Sequence, residues 1–101
     1  MSVLYKVGNY DSVEEQMRTL LGLASLAGIR EAYMDALKEM AYHLQNDPLE
    51  WGDPVYQKPF LDGLVCHALV GPIVVRYSVH EAVNAVLIIE IIPLFDWPIH
   101  T

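Results

Sequence analysis

Gly63–Leu94 reads GLVCHALVGPIVVRYSVHEAVNAVLIIEIIPL. It holds three apolar bursts, Leu64–Val70, Ile73–Val79 and Val86–Ile92, separated by Gly71-Pro72 and by His80–Ala85. Short runs rich in Val and Ile, bounded by Gly, Pro and polar residues, predict strands. The breaks between them predict turns, so the three strands form an antiparallel meander. The last burst is apolar at nearly every position, which predicts an interior strand with both faces covered. Arg76 is the only full charge between Gly63 and Val79, and Glu90 the only one between Val83 and Phe95.

Upstream, the pattern changes to helical spacing. Val13, Met17, Leu20, Leu21 and Ala24 recur every three to four residues, and Gly28 predicts the end of that helix. Ser12 and Glu15 have the spacing of a capping box. A second helix is predicted over Ile29–Leu44, with Ile29, Tyr33, Leu37, Met40 and Leu44 in one stripe, Ala36 and Ala41 beside it, and Arg30, Glu31, Lys38 and Glu39 outward. The short link makes the two an antiparallel hairpin. Asn46-Asp47-Pro48 stops the second helix, because the residue before proline is driven out of the helical region. Leu49–Asp62, with Gly52, Pro54 and Pro59, reads as a loop packing its own aromatics, Trp51, Tyr56 and Phe60. Val3–Val7 reads as a first strand that must pair across the whole hairpin.

The order strand, helix, helix, strand, strand, strand is an α+β layer: a helical hairpin on one face of a mixed, mainly antiparallel sheet. The 101 residues fit one domain, 1–101. An apolar content of 53% excludes a disordered chain. No apolar run approaches the length of a membrane span, and no signal peptide is visible. One cysteine, Cys66, supports no disulfide framework and fits a reducing cytoplasm. Six Lys plus Arg against 13 Asp plus Glu give a net charge of −7. The six are scattered, which argues against a broad nucleic-acid surface, and the acidity favours either solubility or a basic protein partner.

The helical hairpin followed by Asn46-Asp47-Pro48-Leu49, and then the sheet with Gly71 and Tyr77, resembles the "L-x-x-dP" and "v-G-x-y-R-v-x-Y" segments of the RelE/ParE toxin superfamily of type II toxin–antitoxin systems. The resemblance covers almost the whole chain. It implies a small cytoplasmic protein bound by a cognate antitoxin, in some members an mRNA endoribonuclease and in others a gyrase poison. The chain also departs from that pattern. The family's Arg three residues after the glycine falls on Val74, the preceding basic position on Leu69, and the His-Arg pair after the last strand near Pro93-Leu94. These departures imply a divergent member.

Candidate site residues follow. With a five-residue loop, Glu81–Ala85, Arg76 sits opposite Glu90 on the face away from the helices. A structural ion pair worth about 0.2–1 kcal/mol is the favoured reading, and an anion-binding site the alternative. His67 shares a side with Val65 and Leu69, and His80 begins a turn and is expected to be exposed. Either imidazole has the chemistry of an acid or base near neutral pH, although packing or solvation is the ordinary role. Cys66 reads as a small core residue. No spacing suggests a metal or cofactor site. Trp51, Tyr56, Phe60, Phe95 and Trp97 sit in loops and the tail, where they either pack locally or line a partner groove.

Three readings follow. In the first, the protein binds an antitoxin or similar partner through Arg76, Tyr77, Glu90, Phe95 and Trp97, with Trp51 as a further contact. In the second it is a reduced ribonuclease: Arg76 holds the phosphate, Tyr77 orients it, and His67 or His80 moves the proton. In the third it is a non-catalytic homodimer that pairs sheet edges.

Overall fold

The computed structural model describes residues 4–57 and 63–95. Its elements run β1 (Lys6–Asn9), α1 (Asp11–Leu26), α2 (Arg30–Asn46), α3 (Pro48–Trp51), β2 (Asp53–Gln57), β3 (Leu64–Val70), β4 (Ile73–His80), a 3₁₀ turn (Glu81–Val83) and β5 (Ala85–Pro93). The five strands form one sheet in the order β1-β5-β4-β3-β2. β1 runs parallel to β5, and the other three pairings are antiparallel. This is the expected α+β layer, with two elements more than the sequence predicted.

The added elements are α3 and β2, both inside the segment expected to be a loop. Pro48 opens α3 at its first turn, where a missing N–H costs nothing. Pro54 lies in β2, and β2 is a sheet edge, the one place in a sheet where an absent donor is tolerated. Proline here marks the start of a helix and the rim of a sheet, so it does not exclude regular structure.

Two boundaries differ at the N-terminus. β1 begins at Lys6, opposite Ala85, the first residue of β5; Val3, where the sequence places its start, lies outside the described residues. The Tyr10 N–H still donates to Ile88 O at 3.2 Å, so the chain leaves the sheet only there and α1 begins at Asp11. Ser12 therefore lies within the first turn. Tyr10 is the N-cap, no side chain caps the helix, and the expected capping box does not form. Asp11 and Glu14 instead place negative charge at the positive end of the helix dipole.

The hairpin closes as the sequence predicts. Gly28 takes φ +77°, its N–H donates to Ser25 O, and the Ile29 N–H donates to Ala24 O at 2.9 Å. These two bonds are a Schellman motif, which needs a left-handed residue after the cap. The Tyr33 hydroxyl then donates to Met17 O at 2.8 Å and ties α2 to α1. Tyr33, Ala36, Met40 and Leu44 are buried, whereas Ala41, expected beside that stripe, is exposed.

Val13, Leu20 and Ala24 of α1 join the α2 stripe against Cys66, Ala68 and Val70 of β3, Ile73, Val75, Tyr77 and Val79 of β4, and Val86, Ile88 and Ile91 of β5. Alternate strand residues thus face the helices. A fully buried side chain such as Leu44 contributes about 1.5–3 kcal/mol to this layer. β5 is interior to the sheet, as expected. Its other face is not fully covered, however, because both long helices lie on one side: Leu87, Ile89, Glu90 and Ile92 are half-buried.

Candidate functional site on the open face of the sheet

The β4–β5 register decides what the open face displays. His80 pairs with Ala85, so the connection is Glu81–Asn84, one residue shorter than the sequence suggested. Asn84 closes it at φ 50°. That register would set Arg76 opposite Ile89. A β-bulge intervenes: Tyr77 pairs with Ile88, Arg76 pairs with Glu90, and Ile89 is the extra residue. The expected opposition of Arg76 and Glu90 is present, reached through a bulge rather than through a longer loop. Bulges re-aim side chains in this way.

The pair is formed. Arg76 Nη1 lies 2.7 Å from Glu90 Oε1, with side chains 39% and 38% exposed. The Arg76 Nε is buried and has no partner among the described residues. His67 of β3 pairs with Arg76, and Asp53 of β2 pairs with His67. One polar row therefore crosses four strands: Asp53, His67, Arg76 and Glu90. Asp53 is a member that sequence reading missed, because its strand was read as loop. Reading Pro54 as an edge-strand residue would have found it.

A second row, two residues along each strand, is apolar. Leu69 pairs with Val74, and Val74 with Ile92. Leu69 is 68% exposed, and Val74 and Ile92 are half-buried. On the other side of the polar row the face is closed, with Val65 and Ser78 both buried. His80 belongs to that closed end and is not the exposed turn residue expected. It is the last residue of β4, half-buried, with Nε2 3.0 Å from Ser78 Oγ. Its ring lies so close to Gly63 that a Cβ there would come within 2.8 Å of Cε1. His67 and His80 are thus separated: one is exposed beside Arg76, the other packed at the far end.

Tyr77 does not join the site. Successive residues of a strand face opposite sides, so Arg76 and Tyr77 cannot share one. Tyr77 is fully buried on the helix face, and its hydroxyl donates to Pro48 O at 2.5 Å. Burial pushes its ionisation far above the ordinary 10.0. Burial likewise raises the neighbouring Cys66 thiol, with the Tyr77 hydrogen bond acting the other way. Trp51 is half-buried, and its ring stacks on His43, at 5.0 Å between ring centroids, and on Tyr77, at 5.9 Å. His43 Nδ1 is 2.8 Å from Asp47 Oδ1. This stack fastens the α2–α3 corner to the sheet. Gly52 completes it: an added Cβ would collide with the Tyr77 hydroxyl and lie 2.8 Å from His67 O. Phe95 is half-buried and packs against the core. Trp97 lies outside the described residues, as do Phe60 and Lys58. Among the described residues no cluster of three His, Cys, Asp or Glu is placed to hold a metal ion.

No family model and no curated protein matches the sequence. Among solved structures, the crystal structure of the archaeal RelE–RelB complex from Pyrococcus horikoshii OT3 matches with a TM-score of 0.66. The match covers 91% of this chain and 97% of the matched chain at 20% identity. The chain has a RelE-like fold. At that identity the likeness is one of backbone architecture. Within this RelE-like sheet, β3, β4 and β5 carry one Lys or Arg, Arg76, and that cation already holds a carboxylate.

Proposed function

We propose that this RelE-like protein acts by binding a partner protein of the antitoxin kind through the open face of its sheet, and that it does not cleave RNA. The observation that carries this reading is the state of Arg76. A phosphoryl-transfer site on this face needs positive charge aimed at the phosphate as its own charge develops. Arg76 is the single cation of β3–β5 and lies 2.7 Å from Glu90, whose carboxylate occupies it and repels a phosphate. Tyr77 and His80 point elsewhere, which leaves only His67 beside it. The RelE chain in the similar structure is seen with RelB, and this supports a protein partner. No helix among the described residues is long and apolar enough to cross a membrane, and a cytoplasmic location belongs to the same proposal.

The test pairs two measurements on purified full-length protein. Where a short reading frame adjoins its gene, co-expression with that neighbouring-gene product is expected to yield a stable complex on gel filtration. Incubated with mRNA and ribosomes, it is expected to leave the RNA intact. Cleavage that disappears in Arg76→Ala would overturn the proposal and favour a reduced ribonuclease.

A further inference from the structure

The two rows on the open face describe the chemistry of a partner. The apolar row Leu69, Val74 and Ile92 crosses three strands, which spans about 10 Å at the usual strand spacing. Leu94, two residues beyond Ile92, is 56% exposed and extends it. The polar row runs alongside, about 7 Å away along the strands. Its ends are the carboxylates of Asp53 and Glu90; Arg76 is paired with Glu90, so two carboxylates against one guanidinium leave the row with an excess of one negative charge.

An extended peptide gains most of its affinity from main-chain bonds to a sheet edge. This face offers few. β4 is bonded to both β3 and β5, and β3 is bonded to β2 over Leu64–His67, so the backbone beneath the polar row is taken; among the described residues only Ala68–Val70, at the end of β3, have no β2 partner. An α-helix satisfies its own backbone and needs only side-chain contact. Its apolar stripe, repeating at three and four residues, covers about 10 Å in two turns, the span of the apolar row. Side chains flanking that stripe then lie over Asp53 and Glu90. The charge they should carry is positive.

We infer that the open face receives a basic amphipathic helix of a partner protein, with its apolar stripe on Leu69, Val74 and Ile92 and Lys or Arg side chains over Asp53 and Glu90. This rests on the partner-binding function proposed above and specifies the partner. A nucleic acid would set phosphates against the same two carboxylates. A second copy would bring another chain of net charge −7 and the same acidic row.

The experiment titrates isotope-labelled full-length protein with two synthetic peptides that share one helical apolar stripe, flanked by Lys in one and by Glu in the other. The Lys peptide is expected to bind, with amide shifts centred on Leu69, Val74 and Ile92, and more weakly as salt is raised. Leu69→Lys, at a position exposed enough to leave the fold intact, should weaken binding by about tenfold or more. Asp53→Asn and Glu90→Gln should each weaken it by a few-fold. Equal binding of both peptides, binding of neither, or shifts confined to another surface would overturn the inference, as would dimerisation through this face. A complex with the neighbouring-gene product that is indifferent to Leu69→Lys would also overturn it, yet would leave the partner-binding function standing. Arg76-dependent RNA cleavage would remove that function itself.

Discussion

Replacing Arg76 by Met and Glu90 by Gln, singly and together, separates a structural pair from two unrelated charges. Both substitutions keep most of the side-chain shape and remove the charge. The atoms are 2.7 Å apart and each side chain is a little over a third exposed, so solvent screens much of the attraction. A cross-strand pair of opposite charge contributes about 0.2–1 kcal/mol, and a short charge-assisted bond belongs at the upper end. The expected coupling is therefore about 1 kcal/mol at low salt, falling as ionic strength rises. Glu90→Gln alone should cost more than the coupling, about 1–3 kcal/mol, because it leaves Arg76 half-buried with Nε already unpartnered. For a domain of this size, about 1 kcal/mol moves the thermal midpoint by about 4–8 °C. Thermal and urea unfolding of the four proteins at two salt concentrations measure these quantities. A coupling indistinguishable from zero, or one that salt leaves unchanged, would refute the reasoning. The two charges would then owe their place in the sheet to something other than each other.

Two more predictions concern the helix face. Tyr77→Phe should cost about 1–3 kcal/mol, since it strands the buried Pro48 carbonyl, and should leave partner binding unchanged in a titration. A binding or activity defect without loss of stability would return Tyr77 to the site. At alkaline pH the protein should lose stability. Burial lifts Tyr33 from 10.0 to about 12, so its stabilisation is intact below pH 10 and is lost as pH rises towards about 12. Tyr77 shifts in the same direction. The phase of tyrosine ionisation due to the two buried hydroxyls, followed by ultraviolet absorbance, should coincide with unfolding by circular dichroism. Ionisation that is complete well before unfolding would contradict the burial of these hydroxyls.

The helices and the β3–β5 meander were legible because each announces itself within its own residues. The stripe Tyr33, Met40 and Leu44 repeats at helical spacing, Gly28 marks a left-handed cap, and the Val and Ile bursts leave little alternative to strands. β2 was not legible, because Pro54 forbids an interior strand and nothing local says that this strand is an edge. Tyr77 is a different case: with Arg76 on the open face, strand alternation alone turns Tyr77 towards Val75 and Val79 in the core.

By itself, the sequence determined the α+β class, the hairpin, the meander and the scarcity of positive charge. These follow from periodicity and composition, which are local properties. Tertiary structure decided the rest. The start of β1 was decided by where β5 begins, at Ala85, and the seat of Trp51 by Gly52 leaving room for Tyr77. The meeting of Arg76 and Glu90 was decided by a bulge at Ile89 that offsets a shorter loop. Register is a relation between strands: one residue more or less turns a side chain to the other face, and only the assembled sheet selects which.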